Sequence, residues 1–170
     1  MLDSLITSKT RLRMLIKFFI NTANKGYLNG LANEFNESTN SIRKELNNLS
    51  AAGYLLKVKS NNKVIYNANK THPLFKVLQK VIRQHLGIEQ IVDSILDNLG
   101  DVSSVAIVGD YAKGIDSGLI KIVLLGDKIN VSYLEDLIVK VEKKITRKVS
   151  FKIVKTLPMG SLVIYNNDKI

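Results

Sequence analysis

Along the first part of the chain the apolar side chains change from a helical spacing to a strand spacing, and that change fixes what the segment can fold into. From Arg11 the positions Leu12, Leu15, Ile16, Phe19 and Ile20 recur at i, i+3, i+4, i+7 and i+8, one buried stripe of an amphipathic helix. Asn24-Lys25-Gly26 breaks the pattern, and Asn29-Gly30 precedes a short helix whose Leu31, Ala32 and Phe35 can pack inward. After a turn at Asn36, the hydroxyl of Ser38 or Thr39 can cap free backbone N–H groups. A third helix is expected from there to about Ala52, closed by Gly53. Tyr54 to Lys59 then alternates apolar and polar residues, Ser60-Asn61-Asn62 supplies a turn, and Lys63 to Asn67 returns, the signature of a β-hairpin.

Charge is distributed unevenly over this pattern. From Met1 to Leu86 there are 14 Lys and Arg against 4 Asp and Glu, and from Gly87 to Ile170 there are 11 against 11, so the first half holds the whole net charge of +10. Solubility does not require charge to be confined to one half, whereas attraction of a polyanion does, and nucleic acid is the usual polyanion.

The third helix shows where that charge is aimed. At about 100° per residue, Ile42, Leu46 and Leu49 fall together toward a core, and Asn40, Arg43, Lys44 and Asn47 fall on the other side. Arg can grip the O6/N7 edge of guanine, Asn the N6/N7 edge of adenine, and Lys a phosphate. On the hairpin, Lys57, Lys59 and Lys63 are placed to follow a sugar-phosphate backbone.

The run from Ser38 to Leu49, followed by Ala52-Gly53-Tyr54-Leu55, resembles the winged helix-turn-helix of bacterial regulators of the ArsR and MarR type, over Leu31 to Asn69. The resemblance implies double-stranded DNA as partner, with the helix of residues 38–52 in the major groove and the wing of residues 54–68 on the backbone. The DNA-binding candidates are Ser38, Thr39, Asn40, Ser41, Arg43, Lys44 and Asn47 on the helix and Lys57, Lys59, Asn61, Asn62 and Lys63 on the wing. Metal sensing, common in ArsR-type proteins, is not carried over, because the chain has no cysteine.

Pro73 to Leu86 places Leu74, Val77, Leu78, Val81 and Ile82 at helical spacing, with Pro73 suited to the first turn. In the resembled family the helix after the wing often pairs with its twin, so a homodimer is one expectation for this stripe and packing on the chain's own domains the other. His72 and His85 are expected to be structural or solvated.

Beyond Gly87, Ile88, Ile91, Val92, Ile95, Leu96 and Leu99 mark a further helix. Two strand-like runs, Val102 to Val108 and Leu119 to Leu125, flank a glycine-bearing loop; a helix over Val131 to Ile145 and strands at Val149 to Val154 and Ser161 to Tyr165 follow. Gly109-Asp110-Tyr111-Ala112-Lys113-Gly114 between two strands resembles the start of the minimal nucleotidyltransferase domain of the polymerase-beta superfamily, over about Leu99 to Val154. That family reads Gly-Ser-x-Ala-(Arg/Lys)-Gly and then a strand bearing Asp-x-Asp, whose carboxylates hold Mg²⁺. Here Leu119 and Lys121 take the aspartate positions, Asp110 the serine position, and Val149 to Val154 carries no acid. Gly109, Asp110, Lys113 and Gly114 are thus expected to be a vestigial nucleotide loop, the domain catalytically inactive, and Asp116 a turn residue.

The expected fold class is α+β: a winged helix-turn-helix over 1–70, a connecting helix over 71–87, and a small α/β nucleotidyltransferase-like domain over 88–170. No apolar run approaches the roughly 20 residues of a membrane span, and the start lacks a secretory signal, so a cytoplasmic location and no membrane partner are expected. No metal or other cofactor is expected, since two isolated histidines do not make a zinc site. The leading functional expectation is a sequence-specific DNA-binding transcriptional regulator whose second domain serves as scaffold, sensor of a small-molecule or protein effector, or partner surface. The rivals are a nucleotidyltransferase targeted to nucleic acid and an antitoxin-like protein-interaction module.

Overall fold

The hydroxyl of Ser8 accepts the N–H of Arg11 and starts the first helix, α1 (Lys9–Phe19). This computed structural model describes residues 2–167, and the chain divides into two compact units, one running to Ile82 and one from Arg83 onward. Both helices and sheets build it, an α+β fold, and the expected connecting segment 71–87 is shared between the units. No helix among the described residues is long and apolar enough to cross a membrane.

In the first unit α1 is more central than its stripe predicts. Met14, Lys17 and Phe18 are buried together with the expected Leu12, Leu15, Ile16 and Phe19, leaving Lys9, Arg11 and Arg13 exposed. Lys17 tolerates this because its Nζ meets Glu34 at 2.8 Å. A two-residue strand β1 (Lys25–Gly26) follows, then α2 (Leu28–Phe35), which takes in the Asn29-Gly30 pair expected before it. Asn36 ends α2 in the left-handed conformation (φ 52°). Next come α3 (Thr39–Ala51), β2 (Leu55–Ser60) and β3 (Lys63–Ala68), with the sheet ordered β1-β3-β2 and antiparallel throughout. The two-residue turn of the hairpin holds Asn61 and Asn62 at φ 42° and 61°, which suits the twist of the paired strands.

The next helix, α4 (Phe75–Leu86), begins two residues after Pro73, since the Nδ1 of His72 accepts the N–H of Leu74 in a preceding turn. Within α4 Phe75 and Ile82 are buried, whereas Val77 and Val81, like Leu74 just before the helix, are exposed.

In the second unit α5 (Ile88–Asn98) buries Ile88, Ile91 and Ile95 completely. A short ribbon pairs β4 (Gly100–Asp101) with β7 (Lys128–Ile129). The main sheet contains β5 (Ser104–Val108), β6 (Leu119–Leu125), β8 (Lys148–Ile153) and β9 (Leu162–Asn166) in the order β8-β6-β5-β9. β6 and β8 run parallel, joined through a single 3-10 turn and α6 (Leu134–Lys144), while β5 is antiparallel to β6 and β9. α6 packs on β8 and on α5, burying Leu137 and Val141.

Candidate nucleic-acid interface

Both ends of α3 are fixed. At its start the Ser38 hydroxyl accepts the N–H of Ser41 at 3.2 Å. At its end Gly53 (φ 80°) donates to the carbonyl of Ser50 and Tyr54 to that of Leu49, the paired bonds of a Schellman motif that a left-handed glycine permits. Its inner face, Ile42, Leu46 and Leu49, is buried, and Thr39, Asn40, Arg43, Lys44 and Asn47 are exposed. Arg43 donates to the side-chain carbonyl of Asn40 at 3.2 Å, which lays the guanidinium along the exposed stripe.

The three glutamates of this unit point the other way. Glu45, buried in α3, accepts from Ser8 at 2.9 Å and from Arg11 at 2.8 Å. Glu37 accepts from Arg13 at 3.1 Å, from Thr10 and from Ser41, and Arg13 also donates to the carbonyl of Phe35. With Glu34 held by Lys17, three carboxylates turn toward α1. The exposed stripe of α3 therefore keeps its positive charge without an acid beside it. Ser41 is half-buried and its hydroxyl donates to Glu37, whereas Ser38 is exposed and its hydroxyl accepts the capping N–H of Ser41. The clamps onto α1 and Ser8 link residues 17 to 37 positions apart, which no local spacing reveals.

The wing is two-sided. Lys57 pairs with Tyr66 and Lys59 with Val64, on the face that carries Leu55 and Ala68; Lys63 pairs with Ser60 on the opposite face, with Val58 and Ile65. The three lysines expected to act together are thus divided by the strand alternation. Two of them lie over rings: the Lys57 ammonium is 5.9 Å from the Tyr66 ring and that of Lys63 4.9 Å from the Tyr27 ring. At the tip Lys59, Asn61, Asn62 and Lys63 surround a hollow of about 370 Å³. Lys25 joins the wing through β1, opposite Asn67; a two-residue strand has no period by which the sequence shows it.

In the second unit Gly109, Asp110 and Lys113 are exposed and Gly114 is buried, around a single 3-10 turn over Tyr111–Lys113. Lys121 stands opposite Val108 in the strand ladder, and a Cβ placed on Gly109 would lie 3.6 Å from its Cδ. The residue at an expected carboxylate position is thus an ammonium-bearing side chain beside the loop. No group of three or more His, Cys, Asp or Glu side chains is gathered to hold a metal ion among the described residues.

What organises this loop is a cluster the sequence does not reveal. The buried Tyr111 donates its hydroxyl to Asp116 and accepts the N–H of Gly118, while Arg147 grips both Asp116 oxygens, at 2.6 and 3.0 Å, and donates to the carbonyl of His85. Asp116 is therefore an ion-pair anchor and not only a turn residue. Burial works against its charge, but hydrogen bonds from Arg147 and Tyr111 outweigh burial and hold the carboxyl below its ordinary range. Burial, helped by the neighbouring carboxylate, pushes the Tyr111 phenol well above its ordinary value.

No family model matches the sequence, and no curated protein sequence matches it. A solved structure similar to the chain is that of the transcriptional regulator BldR from Sulfolobus solfataricus, at 14% identity and a TM-score of 0.39, over 85% of this chain and 80% of that one. So distant a likeness bears no weight on function, which has to be argued from the side chains above.

Proposed function

We propose that the chain is a sequence-specific DNA-binding transcriptional regulator, with α3 in the major groove and the wing hairpin along the backbone. The observation that carries this reading is the exposed stripe Asn40, Arg43, Lys44 and Asn47, kept free of acids because Glu34, Glu37 and Glu45 are turned inward. Arg43 and Asn47 read base edges, Lys44 and the wing lysines neutralise phosphates, and the hollow at the wing tip admits a phosphate oxygen. Enrichment of a random double-stranded DNA pool is expected to return a defined sequence, and Arg43→Ala together with Lys44→Ala to abolish the enrichment. Binding that is insensitive to salt, or that survives the double substitution, defeats the proposal.

The exposed Val77 and Val81 of α4, with Leu74 just before it, at i, i+3 and i+7, support a homodimer in which this face meets its twin. Sedimentation showing only monomer at micromolar concentration sinks that part alone.

The second unit supports a further reading, a transferase-like scaffold without transferase activity. Its strand, glycine loop, antiparallel strand, helix and parallel strand keep the expected order, while Lys121 stands beside Gly109 where an aspartate is required. An ammonium group there repels Mg²⁺. Mg²⁺-dependent nucleotide transfer that is lost on Lys121→Ala or Asp110→Ala overturns this reading and favours the enzyme.

A further inference from the structure

The parallel strands β6 and β8 end side by side, and a cavity of about 660 Å³ opens beyond their carboxyl ends. Its size falls within the roughly 300–1,000 Å³ of small-molecule sites. Open sheets bind ligands outside the carboxyl ends of their parallel strands, where the loops diverge. This is the end of the sheet opposite the glycine loop, which lies where β5 finishes and β6 begins, beside Val108 and Lys121.

The floor is built and rigid. Leu125 offers its carbonyl to both the N–H and the hydroxyl of Ser103, and Val154 donates to the carbonyl of Leu124. A Cβ on Gly126 would collide with the carbonyl oxygen of Asp101, so only glycine fits where the β4–β7 ribbon crosses. With those backbone groups satisfied, the charged groups left to meet a ligand are the exposed Asp127 and Lys155, neither ion-paired among the described residues. Ile153, 37% exposed, adds an apolar wall.

We infer that this cavity binds a small zwitterion with an aliphatic body, of the amino-acid class, its ammonium at Asp127 and its carboxylate at Lys155. The pair decides the class: Asp127 repels phosphates and dicarboxylates, Lys155 repels polyamines, and a net-neutral molecule satisfies both. The site neither requires nor predicts DNA binding by the first unit.

L-Leucine is titrated into the full chain to about 10 mM, enough to reveal a millimolar affinity, while ¹H–¹⁵N spectra are recorded. The amides of Gly126, Asp127 and Lys155 are expected to shift. Leucinamide, lacking the carboxylate, and N-acetyl-leucine, lacking the ammonium, should each bind about tenfold more weakly, the loss of one charge-assisted contact. Asp127→Asn should weaken leucine and leave N-acetyl-leucine unchanged, and Lys155→Met should do the same for leucinamide. Absence of shifts, shifts confined to other residues, or indifference to both substitutions overturns the inference. So does displacement of leucine by pyrophosphate, which would mark an anion site.

Discussion

The two units handle their charged side chains in opposite ways. In the first, acids are few and three of the four are drawn against α1, where Glu45 and Glu37 hold Arg11 and Arg13 and Glu34 holds Lys17, so the exposed stripe of α3 is left without counter-charge. In the second, from Arg83 onward, 12 bases stand against 11 acids, and three ion pairs join them: Asp116 with Arg147, Glu142 with Lys148, and Glu89 with Arg83. A net charge says how many cations are in excess; the internal partners of the acids decide which surface displays them.

The comparison breaks most readily at Arg147. Removing it strands the Asp116 carboxylate against buried Tyr111, and the cost expected is about 2–3 kcal/mol, below the 3–5 kcal/mol of a fully buried pair because Asp116 keeps some solvent contact. Native-state hydrogen exchange should register that loss in β5 and β6 and leave α1 unchanged. Equal loss in both units would show that the cluster is not local. Arg43→Ala acts on the other side of the comparison: it should cost about 1–3 kcal/mol at one base position and relax specificity there without destabilising the fold. Uniform weakening across all sequences would reassign Arg43 to the backbone. Glu45→Gln is expected to cost about 1–2 kcal/mol, since Ser8 and Arg11 lose a charged acceptor; no change in urea midpoint would mean that the clamp is dispensable. Lys59→Ala should lower the salt slope of DNA binding by about 1 and touch neither specificity nor stability.

The pH dependence sharpens the same contrast. Because the Asp116 carboxyl lies below its ordinary value in the folded state, its contribution is fully present above about pH 4, the unfolded value, and is lost as pH falls through the folded one. Tyr111 has the opposite sign: its raised phenol favours the fold below about pH 10 and loses that contribution as pH rises further. The second unit should therefore weaken at both extremes, read by circular dichroism as a lower unfolding temperature, and Asp116→Asn should remove the acid limb attributable to this pair.

Periodicity was enough to find α1, α3, the hairpin and strands β5, β6, β8 and β9, because each has several residues with one face buried. It missed β1, β4 and β7, two residues each, which exist only through their partners. That Glu37 and Thr10 meet Ser41, a DNA-binding candidate by sequence, is not revealed by helical phase alone. Asp116 read as a turn residue because Arg147 is 31 positions away. The α3 stripe was legible from spacing; the absence of acids beside it depends on tertiary partners. The cavity beyond β6 and β8 left no trace in the sequence, since its wall is assembled from three separate strand ends.

One consequence follows from α3 being pinned at Ser38, at Gly53 and, midway, at Glu45. A helix held at three points has little disorder left to surrender when it docks. Its association should proceed as the meeting of two rigid bodies, with a heat-capacity change set by the area covered and no added increment from coil ordering into helix. Calorimetry over a range of temperatures would then read the groove contact itself, undiluted by folding.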